Sequence, residues 1–573
     1  MPSLPNCDII MKGGITSGVV YPHAVLELSR KHRFRNIGGT SAGAIAAALT
    51  AAAEYNRAHG GFEELEAATG RIGRSLFGLF QPAAPFSGLF AVLMAALDRS
   101  CGPGGRTARV LKAMAWHHAG QTFAGLAPGA AILAWAALAH RGPEAWILGA
   151  VALLLGTAAA WLVALTRPLL CDLKDPRHGF GLCPGLGTGG GAPALTDWLC
   201  DTLDEVAGHK RRGEPAAGEP LTFGHLMGPD PAFPAINLQI MTTDLTTGRP
   251  HRVPFVDGDF MFSGRAFRRL FPARIVDHLI AHGRPYGDDD PDLHWLPATD
   301  RLPVAVAVRL SLSFPVLLAA VPLVSRDWTL RDEDEREQPR TCWFSDGGIC
   351  SNFPIHFFDA VWPRWPTSGI MLDDFDPGRH RHQVWMPQTA AQGRLGPFRA
   401  INSLPGFLGA IVATMQNWRD NQQCRLPGYR ERIVRIALRP DEGGLNLNMP
   451  PATIERLFAL GREAGERITT DFDFEAHRWR RYLASQEPLD EMFAGMRAAW
   501  TDAAPDRSPL REFLPDYAMD PAEYAEISFD RLRRMFNATE ALIDATVDWG
   551  DPLTKERSGL PRPRGALRMV PPV

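Results

Sequence analysis

Residues 34–49 read FRNIGGTSAGAIAAAL. An extended segment, Phe34 to Ile37, runs into Gly39-Thr40-Ser41-Ala42-Gly43, and an alanine-rich run of high helical propensity follows at once. The reading is strand, sharp turn, helix. G-x-S-x-G at such a junction is a nucleophile elbow. The turn is tight and strained, so glycines two before and two after the serine remove side chains that would collide, leaving Ser41 Oγ exposed at the crest of a sheet. The helix beginning behind Ser41 also directs backbone N–H groups, and the positive end of its dipole, toward developing negative charge. Both are requirements of acyl transfer. In a chain with 55 glycines an ordinary Gly/Ser turn satisfies the same pattern, so other segments must decide.

Two of them do. Asp8 to Gly18, DIIMKGGITSG, is an apolar strand ending in a glycine-rich turn, followed by the helical VVYPHAVLEL of residues 19–28. Glycines there let backbone N–H groups approach a ligand oxygen, as an oxyanion hole demands. Far downstream, WFSDGGICSNFP (residues 343–354) places the Asp346 carboxylate at the end of a short apolar strand, before Gly347-Gly348. An Asp with two following glycines is by itself equally a plain turn.

With these three segments the chain resembles the patatin-like phospholipase family, whose marks are a glycine-rich oxyanion loop, the G-x-S-x-G elbow and an Asp-Gly-Gly/Ala motif. The resemblance implies a Ser–Asp dyad with Ser41 as nucleophile and Asp346 as base. It also implies oxyanion donors in the loop Gly13, Gly14 and Ile15 together with Ala42, and motif glycines at Gly18, Gly39, Gly43, Gly347 and Gly348. Asn352-Phe353-Pro354 matches the family's Asn-x-Pro, and the strand-and-turn at 235–248 and the small-residue helix at 306–315 look like its middle section. The resemblance covers residues 5–375, with 60–230 poorly matched. The family loop reads G-G-G-x-K/R-G, whereas its third glycine is here Ile15 and its basic residue Ser17. Ile15 still offers a backbone N–H.

The resemblance implies that Asp346 takes the Ser41 proton, Ser41 attacks an acyl ester, N–H groups around Gly14 and Ala42 hold the oxyanion, and water releases the fatty acid. A carboxylate base must lie within hydrogen-bond reach and be suitably tuned, which spacing in sequence does not reveal. The rival is a Ser…Asp…His triad, with His356, His380 and His382 as candidates. A dyad needs none of the 17 histidines.

At 573 residues, two to four folding units are expected. A composition 45% hydrophobic and 21% charged is that of a folded chain, and a net charge of -3 gives no global attraction to nucleic acid. The eight cysteines show neither C-x-x-C pairs nor zinc spacing, which suits a reducing compartment without a structural metal. Nothing at the N-terminus has the character of a signal peptide.

The stretch 119–170 is unlike the rest. Phe123–Ala139 and Ala145–Thr166 lack every Asp, Glu, Lys, Arg and His, with only His140-Arg141-Gly142-Pro143-Glu144 between them. The second run is long enough, at roughly 33 Å, to cross a bilayer core. Trp146 and Trp161 stand near its ends, and Arg109, Lys112, Arg167 and Lys174 flank the pair, favouring a cytoplasmic side for both outer ends. The alternative is a buried helical pair forming a lid over the active site. Either suits a lipid substrate.

Gly185 to Gly191 formally contains G-x-G-x-x-G, but it follows Cys183-Pro184 rather than a strand and is expected to be a loop. The acidic runs at 288–292 and 331–337 are expected to be solvated loops, and Asp373, Asp374, Asp376, His380 and His382 lack metal-ligand spacing. Beyond 376 helices dominate: Ile454, Leu457, Phe458, Gly461, Gly465 and Ile468 share one helical face, Ile527 to Ile543 suggest a second, and Ile433–Leu438 a further strand. The basic, Pro-rich tail 555–573 is expected to be disordered.

The expected architecture is a three-layer α/β patatin-like sandwich. Core segments 5–118 and 171–375 are interrupted by the hairpin 119–170 and followed by a mainly helical region, 376–554. The expected activity is that of a membrane-associated phospholipase A-type or lysophospholipase hydrolase acting on phospholipid or another acyl ester, with no cofactor and no nucleic-acid partner. The alternatives are a catalytically silent membrane adaptor and a ligand-regulated lipase.

Overall fold

The computed structural model describes residues 4–14, 16–97, 103–187, 191–216, 218–256, 260–287, 290–331, 337–389, 392–393, 398, 400–444, 446–503, 506–517, 528–547, 560–565 and 567. It is a mixed α/β protein organised on one large sheet. Five central strands run parallel, in the spatial order Ile433–Leu438, Thr367–Asp374, Asn6–Met11, Arg33–Thr40 and Asn237–Asp244. Beyond them Glu337–Asp346, Val321–Arg331, Met261–Ser263 and Leu293–Trp295 continue the sheet antiparallel.

A central parallel strand is buried on both faces and reads as a continuous apolar run. Ile9-Ile10-Met11 does so: Ile9 and Met11 enter the main core with Ile37 and Ala44, whereas Ile10 points into a second core with Met371, Ile433 and Phe353. The chain then leaves Asn6–Met11 toward Arg33–Thr40 on one side and returns with Thr367–Asp374 on the other. Such a reversal opens a crevice at the carboxyl ends of the strands, where ligands of open α/β sheets bind. The Gly13-Gly14 loop and Ser41 both stand at those ends.

The sheet continues past residue 375. Ile433–Leu438, the β-branched run, pairs with Thr367–Asp374, and Val384–Trp385 pairs with it in turn. Helix Pro451–Asp471 lays the face containing Ile454, Leu457 and Phe458 on helix Tyr21–Ser29. The two approach closely because Gly461 and Gly465 carry no side chain: a Cβ there would overlap the backbones at Val20 and Ala24. The C-terminal region thus shares the core.

Helices Ala119–Leu138 and Pro143–Arg167 form an antiparallel hairpin. Gly125 and Gly129 of the first have no room for a Cβ against Gly156 and Leu153 of the second, so the backbones touch, and Trp161 Nε1–H donates to Thr122 Oγ1 at 2.9 Å. Small-residue packing of this kind joins helices where apolar side chains face outward. Here they do: Leu138, Leu154 and Leu155 are 84, 68 and 65% exposed. The pair is therefore not a buried core element, and both helices are long and apolar enough to cross a membrane.

One expectation about the C-terminal region is corrected. Arg562 and Arg564 of the tail are ion-paired with Glu487 on helix Phe474–Thr501, so residues 560–565 are held by charge complementarity rather than disordered. Helix Phe529–Thr546 bears out the second helical stretch. Ile527, Gly189 and Gly190 of the glycine-rich loop, Asp288 and Asp289, residues 332–336, and the tail outside 560–565 and 567 lie outside the described residues.

Candidate active site

Strand Arg33–Thr40 ends one residue before Ser41, and helix Ala42–Tyr55 begins one residue after it. Ser41 has φ 54° and ψ -128°, a strained conformation for a residue with a side chain. The flanking glycines are a steric requirement: a Cβ on Gly39 would strike the Gly43 carbonyl, and one on Gly43 would strike the carbonyls of Met11 and Lys12.

Register brings the second residue to the same level. Thr40 pairs with Met241, and Asp346, on the antiparallel strand beyond, pairs with Thr242. Ser41 and Asp346 thus meet across one intervening strand. Asp346 is 4% exposed and Ser41 6%. Asp346 Oδ1 accepts the Gly348 N–H at 2.7 Å. Its Oδ2 is buried and takes no bond of ordinary geometry, while the Ser41 hydroxyl is close enough to favour the ionised carboxyl. Burial outweighs both hydrogen-bonding groups and raises the Asp346 pKa to about 6. The carboxyl is thereby a stronger base than a solvated aspartate, and an ionised one at neutral pH.

One segment supports both residues, and its role was not evident in sequence. Ser311 Oγ, at the end of helix Val304–Ser311, accepts the Ser41 N–H at 2.9 Å, and the Ser313 carbonyl accepts the Asp346 N–H at 3.0 Å. Arg309, fully buried, locks this turn by donating to Ser313 Oγ (2.6 Å) and to the carbonyls of Ala319 (2.8 Å) and Pro184 (3.0 Å). The only sequence signal was a polar Arg-x-Ser-x-Ser inside an apolar helix. Asp420 anchors the next loop, accepting the N–H groups of Asn352 and Phe353 at 2.8 Å each and the Ser351 hydroxyl at 2.8 Å.

The expected oxyanion donors are only partly free in this structure. The Gly13 N–H is used at 2.7 Å by the Asn352 carbonyl, and the Ala42 N–H at 3.2 Å by the Gly14 carbonyl. The loop after the first strand thus pairs, backbone to backbone, with the two segments it packs against. Among the described residues the Gly14 N–H has no intramolecular acceptor; Ile15 lies outside them. Gly18 packs on Ala42, and Gly347 on the Met241 carbonyl, without space for a Cβ.

An apolar cavity opens beside Ser41, walled by Ile45 and Leu49 of the elbow helix, Phe80, Trp198, Leu312 and Phe314. No residue of the hairpin helices lines it. Of the histidines weighed for a triad, none lines the cavity or acts on Asp346. His356 lies half-buried beside Phe357, its pKa lowered to about 3 by desolvation and by Arg419 and Arg252.

Fold and site together define a mixed α/β protein with a strained serine and a buried carboxyl side by side at the crest of its sheet. The chain is 36% identical to the RpoH suppressor of Rhizobium meliloti (strain 1021), over 99% of this chain and 98% of that protein, and belongs to its family. No family model matches. Among solved structures, VipD from Legionella pneumophila superposes with a TM-score of 0.32 at 13% identity, covering 96% of this chain and 86% of that one. ExoU from the type III secretion system of Pseudomonas aeruginosa, solved with SpcU, superposes at 0.23 with 15% identity, covering 97% and 74%. Superpositions this loose say nothing about the chemistry of the site.

Proposed function

We propose that this chain is a patatin-like serine lipid acyl hydrolase with a three-layer core, cleaving fatty-acyl esters of phospholipids through a Ser41–Asp346 dyad. The observation that carries the reading is the buried Asp346 carboxyl beside the Ser41 hydroxyl, opening on an apolar cavity. In this reading Asp346 accepts the Ser41 proton as Oγ attacks the ester carbonyl, and the acyl chain lies along Ile45, Leu49 and Phe80. The Gly14 N–H is the donor ready for the oxyanion; the Ala42 N–H joins it once the Gly14 carbonyl turns away. The hairpin anchors the enzyme in a bilayer, with the catalytic core on the cytoplasmic side. The test is fatty-acid release from micellar phospholipid by the purified protein, with a lipidome comparison of wild type and Ser41→Ala cells to name the headgroup. No release on any phospholipid or lysophospholipid defeats the reading.

The engaged Gly13 and Ala42 amides favour the ligand-regulated version of this enzyme over the constitutive one. Rearrangement of the loop then limits the resting rate, and pre-incubation with vesicles is expected to remove a lag in product release.

The geometry has two further consequences. Because the base must be ionised, kcat/KM is expected to fall as pH drops through about 6. Stability runs the other way. A carboxyl whose folded pKa is raised from 3.8 to about 6 holds its proton more tightly when folded, so its contribution is fully present below the unfolded value and lost as pH rises through the folded one. The cost at neutral pH is up to about 3 kcal/mol. Asp8, also raised to about 6 chiefly by burial, adds to the same stability trend, but its carboxylate is held by Asn36, Trp365 and Thr367 rather than by any residue of the site, and it is not expected to shape the activity profile. Separately, Ser311→Ala leaves the Ser41 N–H buried without its acceptor. It is expected to cost about 1–3 kcal/mol in urea unfolding and roughly tenfold in kcat/KM, with Ser311→Thr restoring part of both.

A further inference from the structure

Helix Ala273–His282 places His278 and His282 one turn apart, and the turn Thr299–Arg301 and the segment holding Glu219 close around them. One ligand atom from each of Glu219, His278 and His282 lies within 4.8 Å of the others. From this geometry we infer a divalent transition-metal site of the zinc class, formed by Glu219, His278 and His282, distinct from the serine site.

The hydrogen bonds prepare the two imidazoles for it. His278, 8% exposed, places Nε2 at 2.8 Å from the Arg301 carbonyl, so Nε2–H donates and the lone pair is left on Nδ1, which faces Glu219 Oε1 at 3.9 Å. A histidine whose second nitrogen donates to a backbone carbonyl is the usual support for a metal ligand, because it sets tautomer and ring orientation. His282 Nδ1 stands 3.2 Å from the His278 carbonyl; donating there leaves Nε2 with its lone pair. Two imidazoles and a carboxylate, with water completing the tetrahedron, suit zinc. Bonds of about 2.0–2.2 Å require ligand atoms some 3.4 Å apart. The site must therefore contract by up to about 1.4 Å, and the His282 ring, stacked on His278 with centroids 4.3 Å apart and planes at 17°, must turn so that its lone pair converges on the ion; the exposed side chains of Glu219 and His282 permit both movements. Arg301 Nη1, 3.3 Å from Glu219 Oε1, competes for the carboxylate and is displaced on binding.

A metal here joins two segments, helix Ala273–His282 and the stretch holding Glu219, at the foot of the helix that supports Ser41 and Asp346, with the Thr299–Arg301 turn held to His278 through the Arg301 carbonyl. Glu219 lies two residues before Leu221, whose carbonyl accepts the Val304 N–H at 2.9 Å. The sequence hides the site because Glu219 is remote along the chain from the His-x-x-x-His pair, and two histidines on one helical face are by themselves an ordinary surface feature.

The test is zinc titration by calorimetry, with thermal unfolding, on the full-length chain purified in detergent and stripped of metal. Wild type is expected to bind one zinc ion per chain and to gain thermal stability, reversed by chelator. His282→Ala and Glu219→Gln, both surface changes, are each expected to weaken binding at least about tenfold and to lose the thermal gain. Zinc affinity and thermal gain equal in wild type and both variants overturn the site, as does no binding by wild type. None of these outcomes depends on lipid hydrolysis.

Discussion

Ser41→Ala and Asp346→Asn are each expected to lower kcat/KM for a phospholipid ester by about 10³–10⁴-fold, and the double variant to be no worse than either single one. A nucleophile and its base act as one unit, so removing the second member after the first has nothing further to take away. The two variants differ in stability, and that difference identifies the mechanism. Asp346→Asn replaces a buried carboxylate with a neutral group of the same shape, removing an ionisation cost of up to about 3 kcal/mol at neutral pH. Its melting temperature is therefore expected to rise above wild type at pH 7.5, to keep about half of that gain at pH 5, and to converge with wild type only below the unfolded value of 3.8. Ser41→Ala relieves no charge and is expected to melt close to wild type. Full activity in either variant would remove that residue from the chemistry. An Asp346→Asn protein that is inactive and also less stable would mean that the carboxylate holds the loop together rather than serving as a base.

The second large effect concerns the hairpin. Leu154 and Leu155 stand at the middle of helix Pro143–Arg167 and are largely exposed. Lysine near the centre of a spanning helix costs about 2.5–3.5 kcal/mol each, so Leu154→Lys with Leu155→Lys is expected to cost about 5–7 kcal/mol of insertion and move the protein from the membrane pellet to the supernatant. Deletion of residues 119–170 is expected to do the same. Because no hairpin residue lines the cavity beside Ser41, hydrolysis of micellar substrate is expected to survive both changes. Unaltered sedimentation with membranes would mean that the hairpin is a surface pair and not the anchor. Loss of micellar activity with intact folding would return it to the catalytic site.

Local chemistry was legible from the chain alone. The Gly39-x-Ser41-x-Gly43 turn, the apolar run before Gly13, the Asp346 strand end and the charge-free runs of the hairpin each declare themselves over a dozen residues or so, because turn sterics and hydrophobic periodicity are short-range properties. The run Ile433–Leu438 likewise announced its strand. Distances of hundreds of residues were a different matter. That Asp346 reaches the level of Ser41 depends on the pairing of Thr40 with Met241 and of Asp346 with Thr242, which is a property of the assembled sheet. The supports from Ser311, Ser313, Arg309 and Asp420 are equally invisible in sequence, since a buried polar side chain reveals its partner only once the fold has supplied one. The same holds for the oxyanion loop. Glycines at 13 and 14 state that a backbone can come close; only the packed structure decides that Asn352 and Gly14 carbonyls take the Gly13 and Ala42 amides first. Residue identity along the chain determined which groups are capable of the chemistry, and tertiary hydrogen bonding, which satisfies every buried donor it can, decided which of them stand ready to perform it.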